Sequence, residues 1–126
     1  EAYEGLADKA ATICQNLSRF LDGTKKNNKT VAGYGAAAKG NTLFNYCKIS
    51  KEDIGFVVDA NPHKQGTLLP GSHIPVLPLS ALEHNKPDYI IILPWNIATE
   101  IIGTCSFIKS WGGQFVIATP NLRILT

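Results

Sequence analysis

An apolar stretch at Val31-Ala32 runs directly into Gly33-Tyr34-Gly35, followed by three alanines, Lys39, Gly40 and Asn41, before a helical pattern opens at Thr42. A strand, a tight turn and a helix start packed into one short stretch leave the chain few ways to fold. Glycine at 33 and 35 is expected to take positive φ and leaves no Cβ between the backbone and a neighbour. The helix behind such a turn directs unpaired N–H groups and the positive end of its dipole at whatever sits there, and a phosphate is the usual guest.

Gly33-x-Gly35-x-x-Ala38 fits the turn that cradles dinucleotides, in its G-x-G-x-x-A form. The spacing from Gly35 to Gly40 also imitates a P-loop, but Asn41 stands where the essential lysine would be, which excludes a nucleoside triphosphatase of that kind. The plainer alternative is a glycine-rich bend that only lets the helix pack close to the sheet.

The rest of the chain repeats the strand-then-helix rhythm. Leu6, Ala10, Ile13, Leu17, Phe20 and Leu21 recur at steps of three and four, which predicts an amphipathic leading helix over residues 2–21, stopped by Gly23. The helix after the glycine turn is expected from about Asn41 to Cys47. Ile54 to Asp59 reads as a buried parallel strand ending in an acid. Residues 61–73 hold two prolines and two glycines and no helical period, in the place of a crossover helix. Ile74-Pro75-Val76 suits an edge strand. A brief helix over residues 79–84 leads to Tyr89-Ile90-Ile91-Ile92-Leu93, the clearest buried strand. One helix is expected over residues 97–111, closed by Gly112 and Gly113, before a last parallel strand over residues 114–118.

Alternation on this pattern predicts an α/β fold, an open and mostly parallel sheet with flanking helices. The 126 residues, 44% of them hydrophobic, suffice for one core and one domain, with residues 1–24 as a leading helix and 30–126 as the α/β core. A net charge of +2 without a basic helix excludes an electrostatic nucleic-acid footprint. No apolar run reaches the ~20 residues that span a bilayer, so no membrane partner is expected. Cys14, Cys47 and Cys105 are far apart and lack a C-x-x-C pair, so neither a disulfide nor a zinc site is expected, and a cytoplasmic setting fits. The chain contains no methionine and opens at Glu1, which reads as a piece of a longer polypeptide.

In an open parallel sheet, ligands bind beyond the carboxyl ends of the strands. Four loops carry the unusual residues to that edge: 33–40, 59–64, Pro94-Trp95-Asn96, and 119–121. Lys39, His63 and Lys64 offer charge for a diphosphate. Asp59, 24 residues after Gly35, offers a carboxylate for a sugar diol. Each has an ordinary role as well: the lysines as solvated surface, Asp59 as a turn cap, Trp95 as a core ring, Asn96 as a helix N-cap, and Glu100 as a complement to the helix dipole.

Gly33-Tyr34-Gly35-Ala36-Ala37-Ala38-Lys39-Gly40-Asn41-Thr42, Val58-Asp59-Ala60-Asn61-Pro62-His63-Lys64-Gln65-Gly66, Leu69-Pro70-Gly71-Ser72-His73-Ile74-Pro75-Val76, and Pro87-Asp88-Tyr89 with Leu93-Pro94-Trp95-Asn96 and Glu100-Ile101 together resemble the C-terminal domain of sugar C-methyltransferases. Those enzymes transfer a methyl group from S-adenosylmethionine to a carbon of a nucleotide-linked deoxyketosugar. The resemblance covers nearly all of the chain from Thr30 onward.

It implies a Rossmann-like domain that encloses the nucleotide sugar, in an enzyme whose other regions bind zinc and S-adenosylmethionine. No metal or cofactor is then expected on this chain, and its partner is the methyl-donor-binding domain. The residues it implies for the sugar nucleotide are Gly33, Tyr34, Gly35, Ala36, Lys39, Gly40, Asn41, Asp59, Asn61, Pro62, His63, Lys64, Pro94, Trp95, Asn96 and Glu100. No catalytic residue is assigned. A different reading of the glycine turn is an NAD(P)-binding module of an oxidoreductase, and another is a ligand-sensing domain without catalysis.

Overall fold

The computed structural model describes the backbone of residues 2–35, 38–93, 98–117 and 122–125, and their side chains outside 2–10, 38–40 and 123. The elements run α1 (Ala2–Lys26), β1 (Val31–Tyr34), α2 (Ala38–Tyr46), β2 (Phe56–Val58), β3 (Val76–Leu77), α3 (Ser80–Asn85), β4 (Tyr89–Ile92), α4 (Ala98–Thr104), a 3-10 helix (Ser106–Trp111), β5 (Gln114–Ile117) and β6 (Arg123–Leu125).

Six strands form one sheet in the order β3-β2-β1-β4-β5-β6. The first five are parallel, and β6 runs antiparallel to β5. The order therefore turns back between β1 and β4, at the centre of the sheet. Side chains alternate across it as the period-two rule requires. Val31, Val57, Ile91 and Val116 face one side, where they pack with Leu17 and Leu21 of α1 and Phe44 of α2. Ala32, Val58, Ile90, Ile92, Phe115 and Ile117 face the other side, under Leu82 of α3, Ile101 of α4 and Ile108 of the 3-10 helix. Burial on both faces explains why these strands read as continuous apolar runs.

Several elements differ from the sequence reading. α1 continues through Gly23, because Thr24 is 5% exposed with its hydroxyl bonded to the Leu21 carbonyl at 2.7 Å and Lys25 pairs with Asp53. Those contacts outweigh a glycine penalty of about 1 kcal/mol. α2 begins at Ala38 rather than near Asn41, so Lys39 and Gly40 lie in its first turn. The helix expected over 97–111 breaks at Cys105. Beyond it a 3-10 helix puts Cys105 and Ile108, three apart and both 0% exposed, on one face, and the Trp111 indole donates to the Pro87 carbonyl at 2.9 Å.

The segment between β2 and β3 has no helix, as expected, yet it is firmly hydrogen-bonded. Leu69 donates to the Ile74 carbonyl at 2.9 Å, and Val76 to that of Thr67 at 2.9 Å. Leu69 and Ile74 are 3% and 0% exposed, so the loop itself seals the sheet face that a crossover helix would cover. β3 lies at the sheet edge, where Pro75 costs the ladder least.

Cys14 and Cys47 are joined by a disulfide, which corrects the expectation of none. Spacing in sequence held no sign of it. α1 and α2 cover the same sheet face, and that shared burial brings the two Cα atoms within 5.1 Å. Cys105 is free and buried. Among the described residues no helix is long and apolar enough to cross a membrane.

Candidate functional site

The carboxyl ends of β1, β2, β4 and β5 lie on one edge of the sheet because the four strands are parallel. At that edge Gly35 takes φ 99°, a conformation that only glycine adopts without strain. Its N–H donates to the Val58 carbonyl at 2.8 Å, and the Leu93 N–H donates to the Tyr34 carbonyl at 3.0 Å. The turn is thus held from both neighbouring strands. α2 starts three residues on, with its N-terminus at the same edge. Asn41 follows in its first turns, and its Oδ1 is buried without a hydrogen-bond partner.

Gly33 does a different job from the one expected. It lies inside β1 without positive φ. A Cβ placed on it would come within 3.0 Å of Val57 Cγ2 and 3.8 Å of the Ile91 carbonyl oxygen. Its bareness serves packing between strands, not the turn.

Beside the glycine turn, residues after β2 form two consecutive side-chain-capped turns. Asp59 Oδ1 accepts from the Asn61 N–H at 2.8 Å, and Asn61 Oδ1 accepts from the His63 N–H at 3.0 Å. Gln65 Nε2 donates to the Asp59 carbonyl at 2.9 Å, a tie that the sequence reading missed. Asn61, Pro62 and His63 stand exposed, and Lys64 is partly covered. Asp59 and Asn61 therefore shape the loop, whatever else they hold.

Tyr34, the last residue of β1, is half-buried against the core under α3 and α4. Burial pushes its phenol up, and the nearby Cys105 thiol and Asp59 carboxylate act in the same direction. A phenol so placed stays protonated near neutral pH and acts as a hydrogen-bond donor rather than a base. Cys105, in the same core cluster and close enough to act on Tyr34, has its own thiol pushed up by burial and was not foreseen near it.

Glu100 is exposed in the first turn of α4, the helix that leaves the same edge after β4. Ala36, Pro94, Trp95 and Asn96 lie outside the described residues, as do residues 118–121 and the side chain of Lys39. Among the described residues no group of three His, Cys, Asp or Glu side chains is placed to hold a metal ion.

A separate groove of about 440 Å³ opens at the opposite edge, lined by Lys25, Lys29, Lys51, Glu52, Asp53 and Asn85 among others. It sits where β1 and β2 begin, away from the glycine turn. Asp53 there is pulled two ways: burial raises its carboxyl, while hydrogen bonds from Lys25 and from Ser50 lower it, and the lowering prevails.

The sequence matches the family model described as the C-methyltransferase C-terminal domain over residues 1–120. It is 35% identical over 124 residues to the C-methyltransferase NovU of Streptomyces niveus, an alignment that covers 98% of this chain and 30% of that protein. The chain thus spans about a third of the length of the curated relative it matches. With the match running from the leading helix through the glycine turn to the last parallel strand, the chain belongs to the C-methyltransferase C-terminal domain family.

Proposed function

We propose that the carboxyl edge binds a nucleotide-linked deoxyketosugar, and that this chain is the sugar-nucleotide domain of an S-adenosylmethionine-dependent C-methyltransferase. The observation that carries this reading is the position of Gly35 and the α2 N-terminus, above the point where strand order turns back between β1 and β4. A Rossmann-like sheet takes its ligand at that point. The diphosphate lies against the first N–H groups and the positive end of α2, with the Asn41 carboxamide next to it.

The sugar extends toward Tyr34 and the capped loop at Asp59 to Lys64, with Glu100 in the first turn of α4 on the other side. Tyr34 donates a hydrogen bond as a neutral phenol. The methyl donor, held by another domain, supplies an electrophilic methyl group to a carbanion formed next to the keto group. This chain contributes orientation, which lowers the barrier by holding the reacting carbon in place. Zinc and S-adenosylmethionine belong in this reading to the methyl-donor side of a cytoplasmic enzyme.

The strand order and the G-x-G-x-x-A turn also suit an NAD(P) module, and calorimetry separates the two. Titration with a thymidine diphosphate sugar should give saturable binding that thymidine diphosphate competes away, and Gly35→Val should abolish it. Tight binding of NADH without binding of the sugar nucleotide would overturn the assignment. Binding of neither would leave a domain for sensing or docking.

A further inference from the structure

We propose that Cys14 and Cys47 are a reversible thiol–disulfide modification site, which clamps α1 to the end of α2 when oxidised and releases it when reduced. The two residues are 33 apart in sequence and bonded to each other, and both are partly exposed. Cys105, the remaining cysteine, is 0% exposed and its thiol is pushed up by burial. Exchange chemistry needs an accessible thiolate, so the pair is open to it and Cys105 is not.

Leu17 and Leu21 anchor the second half of α1 in the core with Phe44 of α2 by apolar burial, an anchorage that does not run through the sulfurs. Cys14 lies one turn before Leu17, so the bond extends that anchorage upstream along α1. Cys47 directly follows α2, whose opposite end opens at the carboxyl edge. A bond in this place sets how firmly the first half of α1 is held against a helix that begins at the candidate site.

The step balances with oxidised glutathione as the oxidant. One cysteine thiolate attacks the glutathione disulfide, forming a mixed disulfide and expelling one glutathione thiolate. The second cysteine thiolate attacks the mixed disulfide, forming the Cys14–Cys47 bond and expelling the other glutathione. Two protein thiols are oxidised, one glutathione disulfide is reduced, and the two protons pass to the departing thiolates.

The test equilibrates the chain across ratios of reduced to oxidised glutathione, traps free thiols with iodoacetamide without unfolding, and counts labels by intact mass. The expected result is loss of two labels together as the ratio falls, with Cys105 unlabelled throughout. Amide exchange over residues 8–16 should speed up by an order of magnitude or more on reduction, while residues 89–92 stay unchanged. Reduced chain blocked by alkylation should behave as Cys47→Ser does, which keeps the comparison sound if that variant folds poorly. A label count that never changes with the ratio, a bond that millimolar reduced glutathione leaves intact, or exchange over residues 8–16 that ignores the sulfur state would each overturn the proposal.

Discussion

Asn45 on α2 occupies the space in which Gly71 would carry a side chain, and its Nδ2 donates to the Pro70 carbonyl at 3.1 Å. This contact fastens the long β2–β3 loop to the helix that starts at the glycine turn. The loop therefore stands in for a crossover helix by bonding to a helix instead of forming one.

Gly71→Ala should destabilise the protein by about 1.5–3 kcal/mol, combining left-handed strain with displacement of the exposed Asn45 carboxamide and loss of its bond to the Pro70 carbonyl. Gly71 has φ +86° and Gly66 has φ +84°, but a Cβ on Gly66 meets nothing within 4 Å. Gly66→Ala should thus cost only the strain, about 1–2 kcal/mol. Urea denaturation of both variants checks the difference; equal losses would mean that Asn45 moves aside freely.

Lys48→Gly should stabilise the protein by about 0.5–1 kcal/mol. α2 ends in a two-bond motif, with Ile49 N–H on the Phe44 carbonyl at 2.9 Å and Lys48 N–H on that of Asn45 at 3.2 Å. Lys48 sits in the left-handed position at φ 58°, which glycine occupies without strain. A melting temperature at or below that of the parent chain would show that the lysine charge at the helix end matters more than its backbone strain.

Asp53 makes the protein acid-sensitive. Its carboxyl is lowered in the folded state, so its contribution is present above the ordinary carboxylate range and is lost as pH falls through that range to the lowered value. Lys25, raised by its hydrogen bond to Asp53 despite some desolvation, stays charged throughout. The stability gap between the parent chain and Asp53→Asn should be constant near neutral pH and close on acidification. Denaturant titrations at several pH values measure it, and a gap that persists into strong acid would contradict the assignment.

Asp59→Ala should cost about 1 kcal/mol through loss of the bond to the Asn61 N–H. Asp59→Asn, which keeps an acceptor oxygen at the same place, should recover most of that loss. Thermal denaturation gives the stability comparison. Sugar-nucleotide affinity that falls in Asp59→Asn while stability holds would add ligand contact to the turn role.

Read from sequence alone, Val31 to Asn41 already specified a strand, a tight turn and a helix, because apolar runs and glycine act within a few residues of themselves. The same local physics marked Tyr89 to Leu93 as a buried strand and left residues 61–73 without a helix. Nothing local revealed that Gly33 serves strand packing, that α1 passes through Gly23, or that Cys14 meets Cys47. Those outcomes depend on Val57, Asp53 and α2 arriving from distant parts of the chain. The antiparallel β6 also took tertiary pairing to appear, since Arg123 to Leu125 is too short to declare its direction. Burial on a shared sheet face decides such matters, and burial is a property of the assembled layers rather than of any stretch of residues.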